Sequence, residues 1–303
     1  MLAAVAQICS LPSLTHNVAL CRSVIRRAAQ AGADLVWLPE ASDFIASAAD
    51  VPGLSRPLDQ SVFIDGVKVS RKGVLHCYSG YPLEDVRRGI SIQAQAKFSK
   101  VWVGVGVHES VKGEERCCNT NLLISPEGEV RAAYRKIHLF DVDIRGGTVI
   151  LESKTTKPGA ELFDPVETPL GKVGLLTCYD LRFPEVSLAL RRRGAQIITY
   201  PSAFTLRTEV LLRARAIETQ SYILAPAQTG SHTATRQSYG HAMIVGPWGE
   251  VLAQCSDRQP KPYTDGVDDG TFAMADLDLG WLEDVRRDMP LWEQRRSDVY
   301  PIL

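Results

Sequence analysis

The chain has 303 residues, of which 45% are hydrophobic and 23% charged, with a formal net charge of −1. This is the balance of an ordinary soluble globular protein. It excludes the basic footprint of a nucleic-acid binder or an anionic-membrane binder, and no apolar run reaches the ~18 residues needed to span a bilayer. Residues 2–8 are small and apolar, as expected of a strand buried on both faces. Residues 14–31 then show helical periodicity, with Val18, Cys21, Ile25 and Ala28 on one stripe and Thr15 as the predicted cap. A second apolar strand, residues 34–38, runs into Pro39-Glu40, so a β-α-β unit ends with a carboxylate at the carboxyl end of its second strand. In α/β sheets that edge is where ligands are handled.

Residues 53–95 break this grammar, with neither periodicity nor linker composition around the short hydrophobic stretch 62–69, and a helix is predicted only as the segment leads into 93–99. Val101–Val107 is the next apolar strand, and Thr120–Ile124 with Val130–Tyr134 form a predicted hairpin around Pro126-Glu127-Gly128. That hairpin ends in Arg135-Lys136. Residues 172–177 form a strand ending on Cys178, and 184–193 the helix that follows. Strands 196–200 and 222–227 flank a helix over 210–220, and a last hairpin joins 241–245 to 251–253. Strands and helices alternating in this way predict a four-layer αββα sandwich of two similar halves, in a single domain spanning 1–303. The tail from 280 to 303 reads as a charged helix and an extended arm, suited to lying across a partner subunit.

Seven cysteines stand at 9, 21, 77, 117, 118, 178 and 255. An odd, irregular set with no C-x-x-C pair is neither a disulfide framework nor a zinc or redox site, and free or buried thiols are expected for most of them. The strand that opens the chain is expected to leave no room for a leader ahead of it, which points to a cytoplasmic location.

Cys178 is the exception. The run Gly174-Leu-Leu-Thr-Cys178-Tyr-Asp-Leu-Arg-Phe-Pro-Glu185 delivers a cysteine from a buried strand to a sharp turn that opens a helix. Such an elbow pushes the side chain out at the sheet edge, aims backbone N–H groups at a developing oxyanion and favours thiolate. The expected base would be histidine, but none of the six sits in a cysteine–histidine signature. Glu40 and Lys136 stand at equivalent strand ends instead. A carboxylate in a closed pocket is expected to have its pKa raised towards neutrality, and a lysine beside it can hold a thiolate and then an oxyanion.

These segments, Pro39-Glu40-Ala, Tyr134-Arg-Lys136-Ile-His-Leu-Phe-Asp and Cys178-Tyr-Asp-Leu-Arg-Phe-Pro-Glu, resemble the three signatures of the nitrilase superfamily of carbon–nitrogen hydrolases. Ser202-Ala-Phe, Leu212-Arg-Ala-Arg-Ala-Ile-Glu and Ser238-Tyr-Gly-His-Ala-Met-Ile-Val-Gly-Pro-Trp-Gly resemble its Nit branch, the deaminated glutathione amidases more than the ω-amidases. The resemblance implies the αββα sandwich, with Glu40 as general base, Lys136 as oxyanion lysine and Cys178 as nucleophile. Glu152 matches the family's additional glutamate, a residue that its polar loop would not have singled out, and is implied to orient Lys136 and the incoming amide. The Tyr179 backbone N–H completes the oxyanion hole, while Arg182 and Phe204 are candidates for substrate contact. Arg182 is equally well suited to a structural ion pair.

The implied reaction is amide hydrolysis through a thioester on Cys178, with release of ammonia and with no metal or organic cofactor. The expected substrate is deaminated glutathione, giving α-ketoglutarate and cysteinylglycine. The alternatives are an ω-amidase acting on α-ketoglutaramate or α-ketosuccinamate, and a catalytically impaired interaction protein of the same fold. A homodimer is expected, with a small-molecule amide as the other partner, and a mitochondrial pool beside the cytoplasmic one is compatible with the resemblance. The sequence departs from the family pattern in two places. Residues near 71–93 look like an insertion. A Gly-x-Ala-His-Trp stretch carried by relatives is missing where Phe204-Thr-Leu-Arg-Thr208 runs into Glu209, beside the expected pocket.

Overall fold

The computed structural model describes residues 1–64, 91–143, 145, 149–204, 208–256 and 270–300. Most of the insertion-like segment, Cys77, and Thr205–Arg207 at the departure after Phe204 lie outside the described residues.

Two sheets face one another. In the first half, β1 (Leu2–Ile8), β2 (Leu35–Trp37) and β3 (Trp102–Glu109) are parallel, and β4 (Cys118–Ile124) and β5 (Val130–Arg135) continue the sheet as an antiparallel hairpin. A small hairpin follows, β6 (Asp141–Asp143) with β7 (Val149–Leu151). The second half repeats the plan. After β8 (Val166–Thr168), strands β9 (Gly171–Leu175), β10 (Ile197–Thr199) and β11 (Tyr222–Ala225) are parallel. The edge of the first sheet takes β12 (Ala227–Ser231) and β13 (Gln237–Tyr239), while β14 (Met243–Val245) and β15 (Val251–Gln254) form the antiparallel hairpin of the second. Finally β16 (Thr271–Asp276) runs antiparallel along β1, from Leu2 opposite Asp276 to Gln7 opposite Thr271.

Side-chain alternation in β1 and β2 produces the layers. Ala3, Val5, Leu35 and Trp37 point into the core shared with the second sheet, among Leu175, Ile197 and Tyr222. Ala4, Ala6, Ile8, Val36 and Leu38 point the other way, against Val18, Cys21, Ile25 and Ala28 of helix Leu14–Gln30 and Ile92 and Ala96 of helix Ile92–Ser99. Helices Pro184–Arg192 and Glu209–Thr219 contribute Leu190, Leu212 and Ala216 to the core of the second sheet. The strands are apolar on both faces because each face is covered. The mixed α/β architecture and two similar halves thus follow the sequence reading.

Two local expectations are corrected. Helix Leu14–Gln30 is capped by Ser13, whose hydroxyl accepts the His16 N–H at 3.4 Å, and not by Thr15. The strand expected over 222–227 is two strands: Pro226 has no N–H for a ladder, and the chain passes there from the second sheet to the first. In the described part of the C-terminal arm, Trp292 lies under the guanidinium groups of both Arg191 and Arg295. Among the described residues no helix is long and apolar enough to cross a membrane.

Candidate active site

The carboxyl ends of β2 and β5 from one sheet meet those of β9 and β10 from the other. Beyond β2 the chain stays paired to β3, with the Leu38 N–H donating to Gly104 O, the Gly106 N–H to Pro39 O and the Ser42 N–H to Gly106 O. A Cβ on Gly106 would lie 2.6 Å from the Glu40 Cα, so only glycine lets the backbone carrying Glu40 come this close.

Cys178 follows β9 at the start of the 3-10 turn Cys178–Arg182 and has φ +46°, in the left-handed region that non-glycine residues rarely adopt. The elbow expected from the sequence is therefore present. Its strain is held by the Cys178 N–H donating to Pro201 O at 3.1 Å, and by Asp180. That buried carboxylate accepts from the Thr177 N–H (2.9 Å), the Tyr134 hydroxyl (2.8 Å), and the backbone (3.1 Å) and ring (2.8 Å) of His138. Arg215 of the helix Glu209–Thr219 donates to Leu181 O at 2.8 Å, fastening the same turn from behind, while Arg213 holds Gly249 O. The Leu-Arg-Ala-Arg segment is thus a structural clamp.

Lys136 follows β5 and is 2% exposed. Its ammonium donates to Glu40 Oε1 at 3.0 Å and to both oxygens of Glu152, at 3.1 and 2.9 Å. Glu152, on the turn Glu152–Lys154, also accepts the Phe140 N–H at 2.6 Å. Glu40 Oε2 accepts the Ala203 N–H at 2.8 Å from the loop after β10, and the Glu40 carboxylate and the Cys178 thiol act on each other electrostatically. The structure therefore brings Glu40, Lys136, Glu152 and Cys178 together.

Electrostatics correct two expectations. Burial pushes the Glu40 carboxyl upward, but the Lys136 charge, the Cys178 thiol and the hydrogen bonds from Lys136 and Asn119 overcome it, and its pKa lies below the ordinary value rather than near neutrality. Burial and the Glu40 charge push the Cys178 thiol well up, against the opposing pull of Lys136, so the resting group is a thiol and not a thiolate. For Lys136, burial opposes the charge, but Glu152, Glu40 and Cys178 hold its pKa well above the usual lysine range.

The remaining candidates are more peripheral. The Tyr179 ring packs edge-on against Phe140 and Phe183, at centroid distances of 5.0 and 5.5 Å. Arg182 is exposed and outside the cluster, and Phe204 directly follows Ala203, its carbonyl accepting the Tyr239 N–H. Sequence reasoning missed Asp180 as an anchor, and it missed Asn119. The available signal for Asn119 was polarity: Asn119, Thr120 and Asn121 interrupt a strand whose other members are apolar or small.

A family model described as Carbon-nitrogen hydrolase matches residues 2–287. The chain belongs to the carbon–nitrogen hydrolase family. It is 43% identical to the "Probable hydrolase nit2" of Schizosaccharomyces pombe, covering 100% of this chain and 99% of that one. It is 41% identical to the deaminated glutathione amidase of Homo sapiens, covering 99% of this chain and 83% of that one. In three dimensions it is similar to the crystal structure of the Caenorhabditis elegans NitFhit protein, with a TM-score of 0.80 and 37% identity over 99% of this chain and 66% of that longer one. The fold is that of the nitrilase superfamily, and the protein is a hydrolase, of the amidase kind, acting on carbon–nitrogen bonds other than peptide bonds.

Proposed function

We propose that this protein hydrolyses the side-chain amide of deaminated glutathione through a Cys178 thioester, with Glu40 as base, Lys136 as oxyanion donor and Glu152 holding Lys136. The observation that carries the reading is one buried ammonium shared by two carboxylates, one of them coupled electrostatically to a thiol on a strained elbow. The human relative's name supports the choice of substrate.

Attack forms the S–C bond as the thiol proton passes to Glu40, and the carbonyl electron pair moves onto oxygen. Lys136 has three N–H groups, and they face Glu40 Oε1 and the two Glu152 oxygens. Protonation neutralises Glu40 and weakens its claim on the ammonium. A Lys136 N–H is thereby released to the oxyanion in the step that creates it, beside the Tyr179 backbone N–H. Collapse reforms the carbonyl and breaks the C–N bond, and the Glu40 proton goes to the departing nitrogen. With this substrate the departing amine is that of cysteinylglycine, so atom balance replaces the ammonia expected for a primary amide. Water then attacks the thioester, Glu40 takes its proton and returns it to the sulfur, and α-ketoglutarate leaves.

The test is α-ketoglutarate formation from deaminated glutathione compared with α-ketoglutaramate. Faster turnover of deaminated glutathione, a burst of thioester at Cys178, and loss of both in Cys178→Ala support the reading. A kcat/KM that favours α-ketoglutaramate assigns the protein to the ω-amidases instead.

A further inference from the structure

Asn119 is the second residue of β4, opposite His108 of β3, and the mechanism above makes no use of it. Its Nδ2 donates to Glu40 Oε1 at 2.7 Å and to Glu152 Oε1 at 3.3 Å, and its backbone carbonyl accepts the Lys136 N–H at 2.8 Å. One residue therefore touches three of the four members of the cluster. Its amide orientation is dictated by charge. Turned over, the amide oxygen would face two carboxylates; as it stands, the buried Oδ1 has no partner among the described residues. Leaving a buried acceptor unsatisfied costs about 1–3 kcal/mol, and two charge-assisted bonds from the same amide offset it.

We propose that Asn119 is the positioning residue of this site: its amide holds the base Glu40 and the lysine-orienting Glu152 at a fixed spacing on Lys136, and keeps Glu40 ionised for proton abstraction. The proposal rests on the reading of Cys178 and Glu40 as nucleophile and base. It explains how two buried carboxylates share one ammonium without either turning away. Lys136 neutralises only one of them, and the Asn119 N–H groups supply the remaining stabilisation without adding a proton that could be lost. The titratable and charged groups around Glu40 are Lys136 from the end of β5, Glu152 behind it, Cys178 on the elbow, and the His108–Asp43 pair at the end of β3.

The experiment follows alkylation of Cys178 by iodoacetamide across pH, read at the Cys178 peptide by mass spectrometry, with no reliance on the amide substrate. The variants are Asn119→Ala, the near-isosteric Asn119→Asp and Glu40→Gln. The expected result is an acidic limb that disappears in Glu40→Gln and moves to higher pH in Asn119→Ala. It moves further in Asn119→Asp, where a third carboxylate competes for one ammonium. In turnover, kcat falls about 100-fold in both Asn119 variants while KM changes far less, as expected for displacement of a reacting group. If Asn119→Ala does not fold, Asn119→Asp carries the comparison alone. A limb lost in Glu40→Gln but unmoved in the Asn119 variants, with kcat falling only as far as the folded fraction, overturns the proposal. A limb unchanged in Glu40→Gln removes the base assignment, and the proposal with it.

Discussion

The carboxylate of Asp180 accepts the Tyr134 hydroxyl at 2.8 Å, and this contact ties the turn that carries Cys178 to the strand that delivers Lys136. The two sheets are thereby registered against each other at the reacting atoms. Tyr134→Phe is expected to lower stability by about 1–2 kcal/mol in urea and to reduce kcat, since it removes one donor and leaves three in place. Asp180→Ala orphans all four donors and is expected to cost about 3 kcal/mol or more. A Tyr134→Phe enzyme with unchanged stability and unchanged Cys178 reactivity would show that the register is held elsewhere.

Two glycines of β3 separate stability from activity. A Cβ on Gly104 would lie 1.9 Å from the Trp37 ring, and one on Gly106 would lie 2.6 Å from the Glu40 Cα. Gly104→Ala is expected to act on the core, lowering stability by about 1–3 kcal/mol or more and disturbing Trp37 fluorescence. Gly106→Ala is expected to displace Glu40 and to lower kcat by about 100-fold for a comparable or smaller loss of stability. Thermal unfolding and steady-state kinetics on the two variants distinguish these outcomes.

The pH profile follows from the site's charges. Glu40 is held below its ordinary value, so it stays ionised down to low pH, and the acidic limb of kcat/KM is expected below the ~4.3 of a free glutamate. The stability Glu40 contributes is present above its unfolded pKa and lost as pH falls through the lower, folded one. Lys136 is raised, so its contribution is present below its unfolded pKa and lost only as pH rises through the folded value. Lys136→Gln removes the charge that depresses Glu40 and should move the limb upward. A wild-type limb near neutrality would contradict this charge pattern.

His232 is 3% exposed, with its ring nitrogens against Ser10 O and Ser238 Oγ, both at 2.8 Å. Burial pushes its pKa down to about 4, against a weaker opposing hydrogen bond to Ser10. The unfolded chain therefore binds the extra proton first, and stability is expected to fall by about 3 kcal/mol as pH drops from ~6.5 towards 4. Urea midpoints of His232→Gln, measured against wild type across that range, should lack this slope.

The sequence by itself determined the layers, because alternation in Leu2–Ile8 and periodicity in Leu14–Gln30 are local consequences of backbone geometry. It also determined the Cys178 elbow, where a strand, a turn and a helix start are contiguous in the chain. Glu152 was legible only through resemblance, since it lies in a polar turn whose value depends on Lys136, sixteen residues away. Asn119 was missed because its bonds run to residues distant in sequence, Glu40 among them, and Asp180 because all its bonds but the one from Thr177 come from the distant Tyr134 and His138. Only the tertiary structure decided the protonation order. A buried glutamate alone should be a stronger base and a cysteine at a helix start a readier thiolate. Placing both against Lys136, with Ala203 and Asn119 donating to the carboxylate, makes the glutamate anionic and the thiol neutral. That result is a sum of charges brought together by two facing sheets, and no segment of the chain carries it alone.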